Sequence, residues 1–288
     1  MIPKQSGLTR YTKTPPNHIY SYTMTLIDTH THLYVQQFND DRVAAIQRAK
    51  AAGIEKFYLP NIDSGYIDAM LELEASYPNE CFAMMGLHPC SVKENYREEL
   101  EIVKNWLDKR PFVAVGEIGL DLYWDQTFFE QQKEAFRTQI NWAKDLDIPI
   151  IIHSRASTWE VIEILREEKD ERLRGIFHCF GGNVEEANAI TTLDFYLGIG
   201  GVLTFKKSGL DKTMKEVDLQ HIVLETDSPY LAPTPYRGKR NESAYVRLIA
   251  EKLASIKETT LEEIARITTE NAKNIFGEIG VSSVKTNR

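Results

Sequence analysis

The sequence predicts an α/β protein built as a (β/α)8 TIM barrel with one additional C-terminal helix. Three observations carry this. Short, nearly continuous apolar runs recur eight times, as strands of a parallel sheet covered on both faces do. Segments with apolar residues at a 3.6-residue period separate them. The 231 residues from Thr25 to Ser255 hold eight such units of roughly 29 residues, the size of a strand with its crossover helix. A doubly wound open sheet is the alternative, but the Gly-x-Gly-x-x-Gly turn expected after its first strand is missing.

The first strand is expected at Leu26–Thr29, and the helix at Arg42–Ala52 stops at Gly53. Strands follow at Ile54–Leu59, Phe82–Leu87 and Phe112–Glu117. Phe129, Phe136, Ile140 and Ala143 share one helical face, and Pro149 stands just past that helix's end near Leu146. The fifth strand is Ile148–His153, and Val161, Ile164 and Leu165 mark the next helix. The last strands are Gly175–Phe177, Phe195–Gly198 and Ile222–Glu225. Thr260-x-x-Glu263 reads as a capping box opening a further helix that ends at Gly277. With no internal repeat or linker, residues 24–280 form one domain. Residues 1–23, with Lys4, Arg10, Lys13, three prolines and no acid, are expected to be a flexible extension, with Met24 as the working start; 281–288 are expected to be a tail.

Composition narrows the class. The chain carries 34 basic against 42 acidic residues, a formal charge of −8, and three widely spaced cysteines that do not form a disulfide framework. No run reaches the ~20 apolar residues of a membrane helix. A reducing, cytoplasmic home and a monomer are the expectation. The acidic balance counts against broad coating of a polyanion.

The informative polar residues end the strands, where barrel enzymes place their chemistry. The first strand runs into Asp28, His30 and His32, expected to share a face. Later strands end at His88, Glu117, His153 and His178, and the eighth runs on to Asp227. Any one of these could be structural. Together they need pairing or a cation, because buried carboxylates and imidazoles are otherwise costly. Nitrogen and oxygen donors without thiolate fit zinc, manganese, iron or nickel, with magnesium admissible. Cys179 is expected to face away and pack. Six donors exceed one open tetrahedral site and suit two divalent cations bridged by a carboxylate, for which Glu117 is the natural choice.

The segments Leu26-Ile27-Asp28-Thr29-His30-Thr31-His32, Gly86-Leu87-His88-Pro89, Gly116-Glu117-Ile118-Gly119-Leu120-Asp121, His153-Ser154-Arg155, His178-Cys179-Phe180 and Glu225-Thr226-Asp227-Ser228-Pro229 resemble the TatD family of metal-dependent deoxyribonucleases. Arg237-Gly238-Lys239-Arg240-Asn241-Glu242 extends the likeness, which runs from Met24 to about Gly280. The resemblance implies an amidohydrolase-superfamily barrel that hydrolyses DNA phosphodiesters, trimming from single-stranded 3′ ends. By motif, His30, His32 and Asp227 would hold one metal, His153 and His178 the other, and Glu117 both. Asp227 would also orient the attacking water and take its proton. Asp28, Asp121 and Glu225 would support these ligands from behind. Tyr34, Ala156 and Ser243 depart from the family pattern without touching a ligand position, so they bear on substrate preference.

Substrate contacts are expected from His88, Arg155 and Arg237, with Lys206, Lys207, Lys239 and Arg240 on neighbouring loops. Tyr123 and Trp124 could stack a terminal base or simply anchor their loop. Two divalent cations add roughly +4 at one rim, which reconciles an acidic chain with DNA at a single focused point. The alternatives are an amide, lactone or small-phosphoester hydrolase on the same barrel, or a metal-holding module without catalysis.

Overall fold

The computed structural model describes residues 24–277, so the expected extension and tail lie outside the described residues. Eight parallel strands alternate with helices: β1 (Leu26–Asp28), α1 (Arg42–Ala51), β2 (Ile54–Pro60), α2 (Ile67–Ser76), β3 (Cys81–Met84), α3 (Tyr96–Lys109), β4 (Val115–Asp121) and α4 (Phe129–Leu146). The second half is β5 (Ile150–Arg155), α5 (Thr158–Glu168), β6 (Gly175–Phe177), α6 (Val184–Thr191), β7 (Phe195–Ile199), α7 (Leu210–Glu216), β8 (Ile222–Leu224), α8 (Val246–Lys257) and α9 (Leu261–Phe276). Runs β1–β3 and β4–β8 are each continuously paired. Met85 bridges to Val115, and Thr31 to Ser228, which closes the barrel at both seams. Every expected strand is present.

Alternation along the strands separates two apolar layers. Ile27, Tyr58, Ile151, Ile176 and Val223 pack into the barrel interior with Ala272, Ile275 and Phe276 of α9. Their strand neighbours Leu26, Phe57, Ile150, Ile152, Phe177 and Ile222 join the larger core beneath the surrounding helices. Helix α9 is therefore the floor of the barrel. Asn271 Nδ2 donates to the carbonyls of Leu219 and Ile222, Thr269 Oγ1 donates to Thr25, and Phe276 stacks on Tyr58 at 3.8 Å between centroids. Thr260 caps α9 by accepting from the Glu263 amide at 3.1 Å, while the Glu263 carboxylate turns to Arg266, so the reciprocal half of the expected box is exchanged for an ion pair.

Several strand ends differ from expectation, and two of them shape the site. Strand β4 spans Val115–Asp121, so Glu117 is its third residue rather than its last. Register shifts between Gly116 and Ile118, an irregularity that leaves Glu117 without a partner opposite and turns it inward. Strand β1 stops at Asp28, so Asp28, His30 and His32 do not share one regular face. The chain bends there.

Candidate metal centre

The bend sends Asp28 and the two histidines to different tasks. Asp28 is fully buried and accepts from the Thr226 amide at 2.9 Å and the Thr226 hydroxyl at 2.6 Å, tying the first strand to the turn after β8. His30 and His32 meet instead, their Nε2 atoms 3.3 Å apart. Glu117 Oε2 lies 3.1 Å from His30 Nε2 and 3.7 Å from His32 Nε2. Asp227 Oδ1 lies 3.9 and 3.6 Å from the same two nitrogens. On the far side of Glu117, Oε1 is within 3.3 Å of His88 Nε2, 2.8 Å of His153 Nδ1 and 3.2 Å of His178 Nε2. One buried carboxylate thus touches both halves of the cluster.

Neighbouring groups fix which ring nitrogens are bare. The Tyr34 hydroxyl donates to the Pro60 carbonyl, so at 2.8 Å it accepts the Nδ1–H of His32. His32 Nε2 then carries only a lone pair. Glu225 orients His178, accepting from Nδ1 at 3.1 Å and from the Cys179 amide at 2.6 Å. Asp121 holds His153 through Nε2 at 2.8 Å. These backing contacts set tautomer and ring orientation, as in metal sites generally. Tyr34 is a residue whose role sequence reasoning missed: it stood out there only as a departure from the family pattern.

Charge follows from the same geometry. Burial, with His30 beside it, holds His32 well below the ordinary imidazole range, and burial with His178 nearby lowers His30 to about 4. Both are neutral near pH 7. Burial opposes ionisation of Glu117, yet the charges of His178 and His88 outweigh it and hold the carboxyl well below its usual range. His178 is raised well above the ordinary value: burial works against the proton, but Glu117 and Glu225 prevail. Burial pushes Asp227 up to about 7. The bare His32 Nε2 faces His30 Nε2 and carboxylate oxygens of Glu117 and Asp227, a poor set of partners without a cation between them. The donor set fits divalent metal: His30, His32 and Asp227 group as one potential ligand set, and His88, Glu117 and His153 as another.

The backbone around Asp227 is shaped for this. Its φ of 56° is left-handed, an unfavourable region for a residue with a Cβ. Buried Asn241 spans the turn, its Nδ2 donating to Thr226 O at 2.8 Å and Tyr230 O at 2.6 Å. The Asp227 amide donates to His30 O at 2.9 Å. On the adjacent strand β7, a Cβ at Gly198 would stand 2.2 Å from Glu225 Oε2, so only glycine admits the carboxylate that holds His178. Sequence signals for Asn241 and Gly198 existed only as unremarked letters inside longer motifs.

His32, Glu117, His153, His178 and Asp227 open on a cavity of about 780 Å3. His88, Arg155 and Trp124 line it. Arg237 is outside the lining, its guanidinium 3.5 Å above the Phe205 ring, and Arg240 turns away to Asp41 at 2.6 Å. Cation–π and ion-pair partners on other loops hold them there. Cys179 lines the cavity rather than facing away, because its φ of 49° turns the chain just past β6.

A sequence profile described as TatD related DNase matches residues 27–277. The chain belongs to the TatD-related DNase family. YabD of Bacillus subtilis, named as an uncharacterized metal-dependent hydrolase, is 43% identical over 252 residues, covering 87% of this chain and 98% of YabD. The crystal structure of the TatD homolog YjjV from Escherichia coli superposes with a TM-score of 0.83 at 30% identity, covering 88% of this chain and 98% of YjjV. A Pectobacterium parmentieri protein named 3′-5′ ssDNA/RNA exonuclease TatD is 28% identical over 257 residues, 87% of this chain and 99% of that protein. This TatD-family chain is therefore a metal-dependent hydrolase on a TIM barrel, and among its described residues no helix is long and apolar enough to cross a membrane.

Proposed function

We propose that the protein hydrolyses DNA phosphodiester bonds at single-stranded 3′ ends, using two divalent cations. The observation that carries this reading is the convergence of bare imidazole and carboxylate donors on one cavity that Arg155 also lines. His30, His32 and Asp227 would hold one cation and His153 and His178 the other, with Glu117 available to both and His88 beside the second. Bound there, the cations supply Lewis-acid activation of water and neutralise charge on the phosphate. Asp227 orients the attacking water and accepts its proton. The water oxygen forms the new P–O bond as the bond to the leaving nucleotide breaks. Arg155 faces the non-bridging oxygens. The family's description and the name of the Pectobacterium relative support nucleic acid as the substrate class.

A substrate panel with metal analysis tests this. Purified protein, assayed for metal content, is offered 3′-labelled and 5′-labelled single strands, duplex DNA, RNA, and acyl and lactone esters. Stepwise metal-dependent loss from the 3′ end of single strands is expected. Turnover of acyl or lactone esters with no cleavage of any nucleic acid would overturn the proposal.

A further inference from the structure

Two large aromatic residues stand unburied at the mouth of this cavity. Trp124 is 69% exposed and Tyr123 58% exposed. Their rings meet edge to face at 5.0 Å, and the Arg155 guanidinium lies 3.8 Å above Tyr123 and 5.2 Å above Trp124. The loop bearing them is not adrift. Asp121 Oδ1 accepts both their backbone amides at 3.0 Å, while its other oxygen holds His153. One carboxylate therefore fixes the aromatic pair relative to the metal donors. Opposite, Tyr66 and Tyr230 line the same cavity, 37% and 47% exposed. Water-exposed aromatic area in this amount carries a free-energy cost that loop anchoring does not explain, since rings that anchor a loop are buried by it.

We infer that Trp124, held by Tyr123 and Arg155, is a stacking platform for an unpaired nucleobase next to the scissile phosphate. The inference rests on the phosphodiesterase reading and adds a specificity-determining contact to it. Arg155 has two jobs in this arrangement: it packs the aromatic pair and presents N–H donors toward the phosphate side. Stacking takes any base but requires that base to be out of a duplex, so the platform selects for unpaired ends rather than for sequence.

The test compares the metal-loaded wild-type enzyme with Trp124→Ala and Trp124→Tyr on two single-stranded oligonucleotides, one normal and one abasic at its last two 3′ positions. Stacking worth about 1–3 kcal/mol per base predicts a rise in KM of roughly 5- to 150-fold for Trp124→Ala on the normal strand. The abasic strand should show less than twofold change, and Trp124→Tyr should restore most of the affinity. Because the side chain is exposed, circular dichroism and metal content should match wild type. Equal slowing on both strands, or none on either, overturns the stacking site while leaving the phosphodiesterase reading intact. Failure of the wild type to cleave either strand overturns both.

Discussion

Two polar concavities lie at opposite ends of the barrel, and they are built by opposite rules. At the floor, Lys169, Arg174, Asp194 and Tyr196 line a hollow beside the end of α9. There cations meet carboxylates: Lys169 pairs with Asp194 at 3.4 Å, Arg174 with Asp147 at 2.8 Å, and neighbouring Arg172 with Asp170 at 2.9 Å. At the mouth, imidazoles and carboxylates are buried together, the bare His32 Nε2 faces two carboxylates, and His30 Nδ1 and Glu225 Oε2 have no hydrogen-bond partner. Both are lined by charged groups; their satisfaction differs. A self-paired surface needs nothing further, whereas a buried excess of acceptors calls for a cation.

The largest effect expected from this contrast is at the shared carboxylates. Asp227→Asn and Glu117→Ala should each lower kcat by about 10²–10⁴-fold on single-stranded DNA, with the fold retained by circular dichroism. Retention of full activity in Asp227→Asn would remove it from the reaction.

Next is Tyr34→Phe. It leaves His32 Nδ1 without an acceptor and frees the ring to change tautomer. Metal affinity measured by chelator competition should fall about 10–100-fold, with little change in thermal stability of the metal-free protein. Unchanged affinity would mean that packing alone orients His32.

A paired charge near the mouth should behave as the floor does. Asp41 accepts from Arg240 and Arg48, and those hydrogen bonds, Arg240 first, hold its carboxyl well below the ordinary 3.8. A depressed carboxyl contributes stability that is complete above 3.8 and is lost as pH falls through its folded value. The melting-temperature gap between wild type and Asp41→Asn should therefore be flat from pH 5 to 7 and narrow below pH 4 (approximate bounds set by that linkage). A gap widening in acid would reverse the assignment.

The smallest effect belongs to the floor. Lys169→Ala should change stability by no more than about 0.5 kcal/mol by denaturant melt and leave hydrolysis untouched. A large activity loss there would break the comparison between the two ends.

Much of the mouth was legible in the chain because apolar strands make a terminal His or Asp conspicuous. His30, His32, His153, His178 and Asp227 stand out for that reason. The roles of Tyr34, Asn241 and Gly198 did not, since each acts through a partner 26 or more residues away or across a turn: Tyr34 through Pro60, Gly198 through Glu225, and Asn241 through the carbonyls of Thr226 and Tyr230. The partners of Arg237 and Arg240 were not legible, because a positive charge on a loop carries no sign of whether a ring or a carboxylate nearby will meet it.

Periodicity and the order of apolar runs by themselves determined the barrel, its eight strands and the rim on which the donors fall, because side-chain alternation and crossover length are local properties. Only the tertiary structure decided which nitrogen of each imidazole is bare, that Glu117 reaches both sets of donors from within its strand, and which arginine borders the cavity. Those depend on hydrogen-bond partners brought together from distant strands, and nothing in a residue's own neighbourhood specifies them.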